Sequence, residues 1–181
     1  MFKYFYGVLI LLFLYVAGSS IYESMTKVDL KSSRLACQKE VTTFETFRKP
    51  EMISEAIKAL KSGNYKLESE IRFSKYMKSQ LGNYLSVEDV DKMIEEAVSV
   101  DKNPNDNGLV IDYSVYENDK KDPGKKTKKS KLYAGYIYMN FKMGKTSVYD
   151  IQLDYKDLQA KDLKKRIGCA IKSFLSADQA K

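Results

Sequence analysis

The feature that most constrains this chain is an uncharged, strongly apolar segment near its N-terminus. Residues Tyr4 to Tyr22 read YFYGVLILLFLYVAGSSIY. As a helix rising 1.5 Å per residue, the segment would span roughly 28 Å, close to the thickness of the hydrocarbon core of a bilayer. Tyrosines at both ends suit the two membrane interfaces. We therefore predict one N-terminal transmembrane helix over residues 1–22, which would bind membrane lipid.

A cleaved signal peptide is the competing interpretation of the same segment. Lys3 would be its short basic region, Val8 to Val16 its apolar region, and Ala17-Gly18-Ser19 the small-residue cleavage site. The first interpretation predicts a single-pass protein of the inner cell membrane. The second predicts a protein that is secreted after cleavage.

The charges that flank the segment give conflicting signals about orientation. Lys27, Lys31 and Arg34 follow it, whereas only Lys3 and the α-amine precede it. This asymmetry does not favour moving the rest of the chain outward. A three-residue N-terminal flank, however, is typical of export signals. We expect the following domain to lie on the periplasmic, extracytoplasmic side.

Residues 23–49 form a polar stretch that we predict to be a stalk helix. Its apolar side chains recur at helical spacing, at Leu30, Cys37, Val41 and Phe44. Pro50 would end the helix.

Residues 50–181 are predicted to form one soluble domain. Along this domain, segments whose apolar residues recur at helical spacing follow segments in which apolar and polar residues alternate. The predicted helices are Glu51–Ser62, Ser86–Val100 and Gln159–Leu175, and the predicted strands are Tyr65–Met77, Leu109–Glu117, Leu132–Met143 and Ser147–Tyr155. This order predicts an α+β fold, an antiparallel sheet of about four strands with helices packed on one face. One N-terminal transmembrane helix would precede it.

The first helix of this domain runs through a Gly63-Asn64-Tyr65 junction into a strand. That junction and the element order resemble the NTF2-like domains of inner-membrane assembly factors of type IV secretion systems. The resemblance covers element order and layout, including the single N-terminal membrane helix. It implies a domain carried beyond the membrane as part of an assembly.

The chain contains two cysteines, Cys37 and Cys169. Cys37 lies on the apolar face of the predicted stalk, and Cys169 lies away from the apolar stripe of the last helix. Packing of the stalk against that helix would bring the two thiols together. We predict a disulfide, which an exported protein favours. Two free thiols are the alternative if the domain is cytosolic.

A lysine-rich stretch from Asn118 to Lys131 carries no apolar residue. Its seven lysines are Lys120, Lys121, Lys125, Lys126, Lys128, Lys129 and Lys131. An Asp122-Pro123-Gly124 turn at its centre predicts an exposed, mobile loop. The loop would bind anionic lipid headgroups or an acidic partner, or would only keep the protein soluble. Nucleic acid is not expected, because no aromatic residues interleave with the lysines.

Several of the fourteen tyrosines lie on the predicted strands. We single out five as a candidate aromatic interface that another protein covers: Tyr133, Tyr136, Tyr138, Tyr149 and Tyr155. Strand propensity alone is the alternative explanation.

The chain has no histidine, which removes the commonest general base and the commonest zinc ligand. No catalytic or cofactor motif is present, and the acidic residues on the strands (Asp112, Asp150 and Asp154) show no sign of a tuned pair. We predict no enzyme, no cofactor and no metal. The expected function is a membrane-anchored scaffold or adaptor domain of a cell-envelope complex, with one or more protein partners. The alternative is an exported domain that holds a lipid or small ligand between sheet and helices.

Overall fold

A computed structural model describes residues 34–105 and 107–179. The predicted transmembrane helix at residues 1–22 and the start of the predicted stalk lie outside the described residues. Among the residues described, no helix has the length and apolarity needed to cross a membrane. Residues Leu35–Gln179 form the compact unit on which the following sections are based.

Alternating and helical periods in the sequence produce five strands and three helices within this unit. In chain order they are β1 (Thr43–Phe47), α1 (Ile53–Lys61), β2 (Tyr65–Arg72), α2 (Val87–Val98), β3 (Leu109–Glu117), β4 (Gly135–Met143), β5 (Thr146–Tyr155) and α3 (Leu163–Ser176). Single 3-10 turns lie at Ala36–Lys39, Pro50–Met52, Leu81–Asn83, Lys129–Lys131 and Ala177–Gln179.

The strands form one mixed sheet in the order β1-β5-β4-β3-β2. Every neighbouring pair is antiparallel except β2 and β3, which are parallel. The α+β class is confirmed, but the predicted antiparallel sheet of about four strands was wrong in number and direction. The chain crosses over from β2 to β3 through α2, and a crossover connection joins parallel strands.

The predicted stalk helix over residues 23–49 was wrong in its described part, because residues Thr43–Phe47 form strand β1. This strand pairs with β5 along the sheet edge, with Thr43 opposite Leu153 and Phe47 opposite Tyr149. Threonine and phenylalanine are good strand formers, and pairing with β5 stabilises them as a strand. The local helical spacing could not show this pairing. Cys37 lies before the strand, in the 3-10 turn Ala36–Lys39.

The three helices cover one face of the sheet, and the hydrophobic core lies between the helices and that face. The sheet contributes odd-numbered residues of β3, β4 and β5 to the core, among them the buried Tyr113, Phe141 and Tyr149. Phe141 stacks on Phe174 of α3 with ring centroids 4.0 Å apart. The opposite face, called the open face below, carries the even-numbered residues of these strands and of β1.

Local signals fixed several boundaries. Ser86 caps α2 through its hydroxyl, which accepts a hydrogen bond from the Asp89 amide, as its position before the helix predicts. Gly63 ends the turn after α1 with φ of +75°, a conformation that favours glycine. Strand β2 is shorter than predicted and ends at Arg72, because residues 74–81 instead fold around Glu117.

Candidate binding face and cleft

The predicted disulfide is confirmed. Cys37 and Cys169 are bonded, with Cα atoms 5.9 Å apart across 132 residues of sequence. The 3-10 turn that carries Cys37 covers Cys169, which is therefore buried rather than exposed among lysines. Beside the bond, Glu40 pairs with Lys165 at 2.7 Å and with Arg166 at 3.0 Å. Hydrogen bonds from Lys165 and Arg166 lower the pKa of Glu40.

Two of the five tyrosines proposed for an aromatic interface belong to the core instead. Tyr149 and Tyr155 are 0% and 1% exposed. Strand register explains this, because Tyr149 lies opposite Phe141 and Tyr155 opposite Gly135 on the helix-covered face. Burial raises the pKa of both hydroxyls. They cannot form a surface that a partner covers.

Tyr136 and Tyr138 do lie on the open face, where strand register adds Tyr116 and Phe44 to them. Tyr116 and Tyr136 face each other across β3 and β4, and their rings stack with centroids 4.8 Å apart. Phe44 is 60% exposed on β1. It lies in one row with Gln152 and Tyr138, so aromatic and polar side chains alternate across the face.

One end of the open face is neutralised by ion pairs. Arg48 pairs with Asp150 at 2.6 Å, and Lys142 pairs with Asp112 at 2.8 Å and Glu68 at 3.1 Å. The hydrogen bond that the Lys142 ammonium donates to Asp112 raises the pKa of Lys142 against the opposing effect of burial. The free charge of the face therefore lies at its other end, beside the lysine-rich loop.

The lysine-rich loop matches its prediction only in part. Lys121, Lys126, Lys128, Lys129 and Lys131 are exposed, whereas Lys120 and Lys125 are half-buried. Across residues 34–105 and 107–179, none of the seven forms an ion pair with an acidic side chain. The five exposed lysines thus form a positive surface.

The loop folds back over the open face because its first residues are buried and bonded. The side-chain amide nitrogen of Asn118 donates hydrogen bonds to the backbone carbonyls of Ser130 at 3.1 Å and Tyr133 at 2.8 Å. The Lys125 ammonium donates to the Asn118 side chain and, at 3.2 Å, to the Tyr116 hydroxyl. It also lies 5.2 Å from the centroid of the Tyr116 ring, a cation–π distance.

Between the folded-back loop and the open face lies an open cleft of about 420 Å³, called the loop cleft below. One row of the open face forms its floor, with Thr42, Asp154, Tyr136 and Tyr116. The loop forms its wall, with Lys125, Thr127, Lys129, Ser130 and Tyr133. Tyr133 is the third interface tyrosine outside the core, and its hydroxyl oxygen lies 3.2 Å from the Thr42 hydroxyl oxygen across the cleft, a hydrogen-bond distance.

Asp154 is the buried charged group of the cleft floor, only 9% exposed. Burial raises its pKa, although hydrogen bonds from the Thr42 and Gln152 side chains act in the opposite direction. In the part of the chain that the structure describes, Asp154 has no ion pair, unlike Asp112 and Asp150.

Two further buried carboxylates position the loop and the segment beside it. Glu117 accepts hydrogen bonds from the amides of Ser74 (3.0 Å), Gln80 (2.8 Å) and Leu81 (3.2 Å). Burial alone would raise the pKa of Glu117, but these hydrogen bonds outweigh it and lower the pKa to about 2. Asp119 accepts from the Lys75 and Tyr76 amides in the same way.

Sequence reasoning missed Tyr116, Asp154 and Phe44 as members of the open face. Strand alternation could have placed Tyr116 opposite the core stripe of Leu109, Ile111 and Tyr113. The stacking of Tyr116 on Tyr136, however, depends on register between strands, which the sequence does not show. The described residues contain no group of three or more cysteine and acidic side chains that could hold a metal ion.

The fold and the cleft define an α+β domain with one covered and one open sheet face. No known protein family matches the sequence, and no curated protein matches it either. Two solved structures of the PelC dodecamer from Paraburkholderia phytofirmans, one of them a single-residue variant, are similar at 12% identity with a TM-score of 0.38. Each alignment covers 77% of this chain and 98% of PelC.

Proposed function

We propose that this chain is a non-catalytic adaptor of a cell-envelope complex, which binds a protein partner through the open face. Residues 1–22 would anchor it in the cell membrane, with residues 35–179 on the extracytoplasmic side. The Cys37–Cys169 disulfide supports this location, because disulfides persist in oxidising compartments and are rare in the cytosol.

The observation that carries the proposal is that the open face lies beside the lysine-rich loop, whose lysines form no ion pair with an acidic side chain of the described residues. Helices cover one side of the sheet, whereas Phe44, Tyr116 and Tyr138 remain on the other. Five exposed lysines adjoin that side. Charge complementarity therefore selects a partner segment that is acidic and carries an apolar side chain to cover Phe44.

A protein partner fits this surface better than a lipid headgroup layer does. The row that contains Phe44 and Tyr138 also contains Gln152 and Ser114, so polar and aromatic side chains alternate. Protein interfaces have this mixed composition and are enriched in tyrosine. Surfaces that insert into a membrane carry a continuous apolar stripe.

Site-specific photocrosslinking of the full-length protein in intact cells tests the proposal. A photoreactive residue would replace Phe44 or Thr46, which are exposed on the open face, and as a control Lys172, which is exposed on α3. We expect one protein to be linked at both open-face positions and not at Lys172, with an acidic segment as the linked peptide. Replacing Lys126, Lys128, Lys129 and Lys131 with glutamine should weaken this link and its salt dependence.

Two outcomes would overturn the adaptor proposal. One is crosslinking to lipid alone at Phe44 and Thr46, which would make the open face a membrane contact. The other is equal crosslinking at Phe44 and Lys172, which would show that the open face has no special partner.

A ligand-binding domain is the second candidate, and the loop cleft favours it. The sequence predicted that such a domain would hold a lipid or small ligand between sheet and helices. The middle of that layer is filled by side chains such as Phe141, Tyr149 and Phe174, which are fully buried and in ring contact. A ligand is therefore proposed for the opposite side of the sheet.

A further inference from the structure

We propose that the loop cleft binds a small hydroxylated organic anion. Lys125 and Lys129 would bind its anionic group, and Asp154 would accept a hydrogen bond from one of its hydroxyls. The cleft adjoins the protein-binding surface proposed for the open face and shares Tyr116 and Lys129 with it, but Phe44 and Thr46 do not line the cleft.

The size and walls of the cleft suit a small molecule. Its volume of about 420 Å³ falls within the range typical of small-molecule pockets. Tyr116, Tyr133 and Tyr136 give it aromatic surface, and the polar groups converge from the floor and from the loop. Such a combination fixes a ligand by contact area and orients it by a few hydrogen bonds.

The charges of the cleft favour an anion. Among the residues that line the cleft are two lysines, Lys125 and Lys129, and one acidic residue, Asp154. The Lys125 ammonium has three hydrogens. Two are directed to Tyr116 and Asn118, which also hold it in place, so one remains for a ligand. A cationic ligand would be repelled by both lysines.

Asp154 adds the requirement for a hydroxyl. A carboxylate has about four acceptor positions, and the Thr42 and Gln152 side chains occupy only part of that capacity. Because Asp154 is buried in the floor without an ion pair among the described residues, an anionic oxygen placed against it would be repelled. A ligand that presents a hydroxyl there avoids the repulsion and gains a hydrogen bond.

Titration of the full-length protein in detergent micelles, followed by backbone amide shifts, tests the site. The probes are glucuronate and glucose 6-phosphate, which distinguish a carboxylate from a phosphate source, and glucose as the neutral control. We expect saturable shifts of the Asn118, Ser130 and Gly135 amides with both anions, at millimolar Kd or tighter. Glucose should bind about tenfold more weakly, because it lacks the charge-assisted bonds to the lysines.

Three single variants identify the groups responsible. Lys125→Gln and Lys129→Gln should each weaken glucuronate binding by about three- to tenfold. Lys126→Gln is the matched control, since Lys126 lies in the same loop outside the cleft, and it should have little effect. Asp154→Asn should weaken glucuronate binding but strengthen binding of inorganic phosphate, because it removes the repelling charge.

The proposal fails if no shift saturates, if glucose binds as tightly as glucuronate, or if Lys126→Gln weakens binding as much as Lys129→Gln does. Lys129 is exposed, so its replacement leaves folding intact even if Lys125→Gln disturbs the loop. Failure here would leave the adaptor proposal standing, since crosslinking at Phe44 and Thr46 does not depend on a ligand in the cleft.

Discussion

Replacing Glu117 with glutamine removes one charge from a buried site without changing the size of the side chain. The carboxylate is 3% exposed at the end of β3 and accepts four hydrogen bonds, two of them from Ser74. In the variant, an NH₂ group replaces one carboxylate oxygen, and this group cannot accept the hydrogen bonds that the oxygen accepted. Two donors therefore lose their acceptor while they remain buried.

The structure sets the size of the effect. The pKa of Glu117 falls from its ordinary value of 4.5 to about 2 in the folded protein. Each tenfold change in the dissociation constant corresponds to about 1.4 kcal/mol, so ionised Glu117 stabilises the fold by about 3 kcal/mol. We expect Glu117→Gln to lower the free energy of unfolding by about that amount at pH 7. The melting temperature should then fall by about 6–12 °C.

The dependence on pH gives the test its specificity. A carboxyl group whose folded-state pKa is depressed stabilises the fold above its unfolded pKa, and the stabilisation is lost as pH falls through the folded pKa. The difference between wild type and Glu117→Gln should therefore be full above about pH 4.5 and shrink toward pH 2. Urea unfolding followed by circular dichroism measures it, with exposed Glu55→Gln as control. A difference below about 0.5 kcal/mol at pH 7, or one that does not change between pH 5 and 2, would refute the reasoning.

Further predictions follow from the structure and, for the N-terminal segment, from the sequence. Replacing Cys37 and Cys169 with serine should lower the free energy of unfolding in urea by about 3–5 kcal/mol, because the bond closes a long loop. Reductant should have no further effect on this variant. If both cysteines are alkylated in wild-type protein taken from native membranes, the disulfide does not form. Gly135→Ala should destabilise by about 2 kcal/mol or more, because its Cβ would lie 1.9 Å from the Tyr116 carbonyl oxygen. At Gly168 an added Cβ would meet no neighbouring group within 4 Å, so Gly168→Ala should instead stabilise α3 by up to about 1 kcal/mol. Equal changes in stability for Gly135→Ala and Gly168→Ala would contradict this. Full-length protein should stay in the membrane pellet after carbonate washing, whereas release, or an N-terminus near Ser20, would exclude the anchor.

Elements with a long and regular pattern were predictable from the sequence. Strands β3, β4 and β5 each alternate over nine or ten residues, and their observed bounds lie within a few residues of those predicted. The disulfide was predicted for a partly wrong reason. Cys37 does meet Cys169, but it is carried by a 3-10 turn and not by a helical face.

Elements that depend on distant partners were not predictable. Strand β1 is five residues long, and its partners in β5 lie more than a hundred positions away, so the local spacing of Leu30, Cys37 and Phe44 indicated a helix. The loop cleft has the same origin. Its floor requires the register that places Tyr116 beside Tyr136, and its wall requires Asn118 to reach carbonyls 12 and 15 residues further on.

The path of the lysine-rich loop shows how a segment without apolar residues acquires a defined course. Three consecutive polar residues at the end of β3 are buried, and together they bind two other segments of the chain. Glu117 binds the amides of residues 74–81, Asn118 binds the far end of the loop, and Asp119 binds the amides of Lys75 and Tyr76. Buried polar groups are costly unless they are bonded, so these contacts restrict the path of the backbone. The lysines are consequently held beside the open face, where their charge can act on a partner or a ligand.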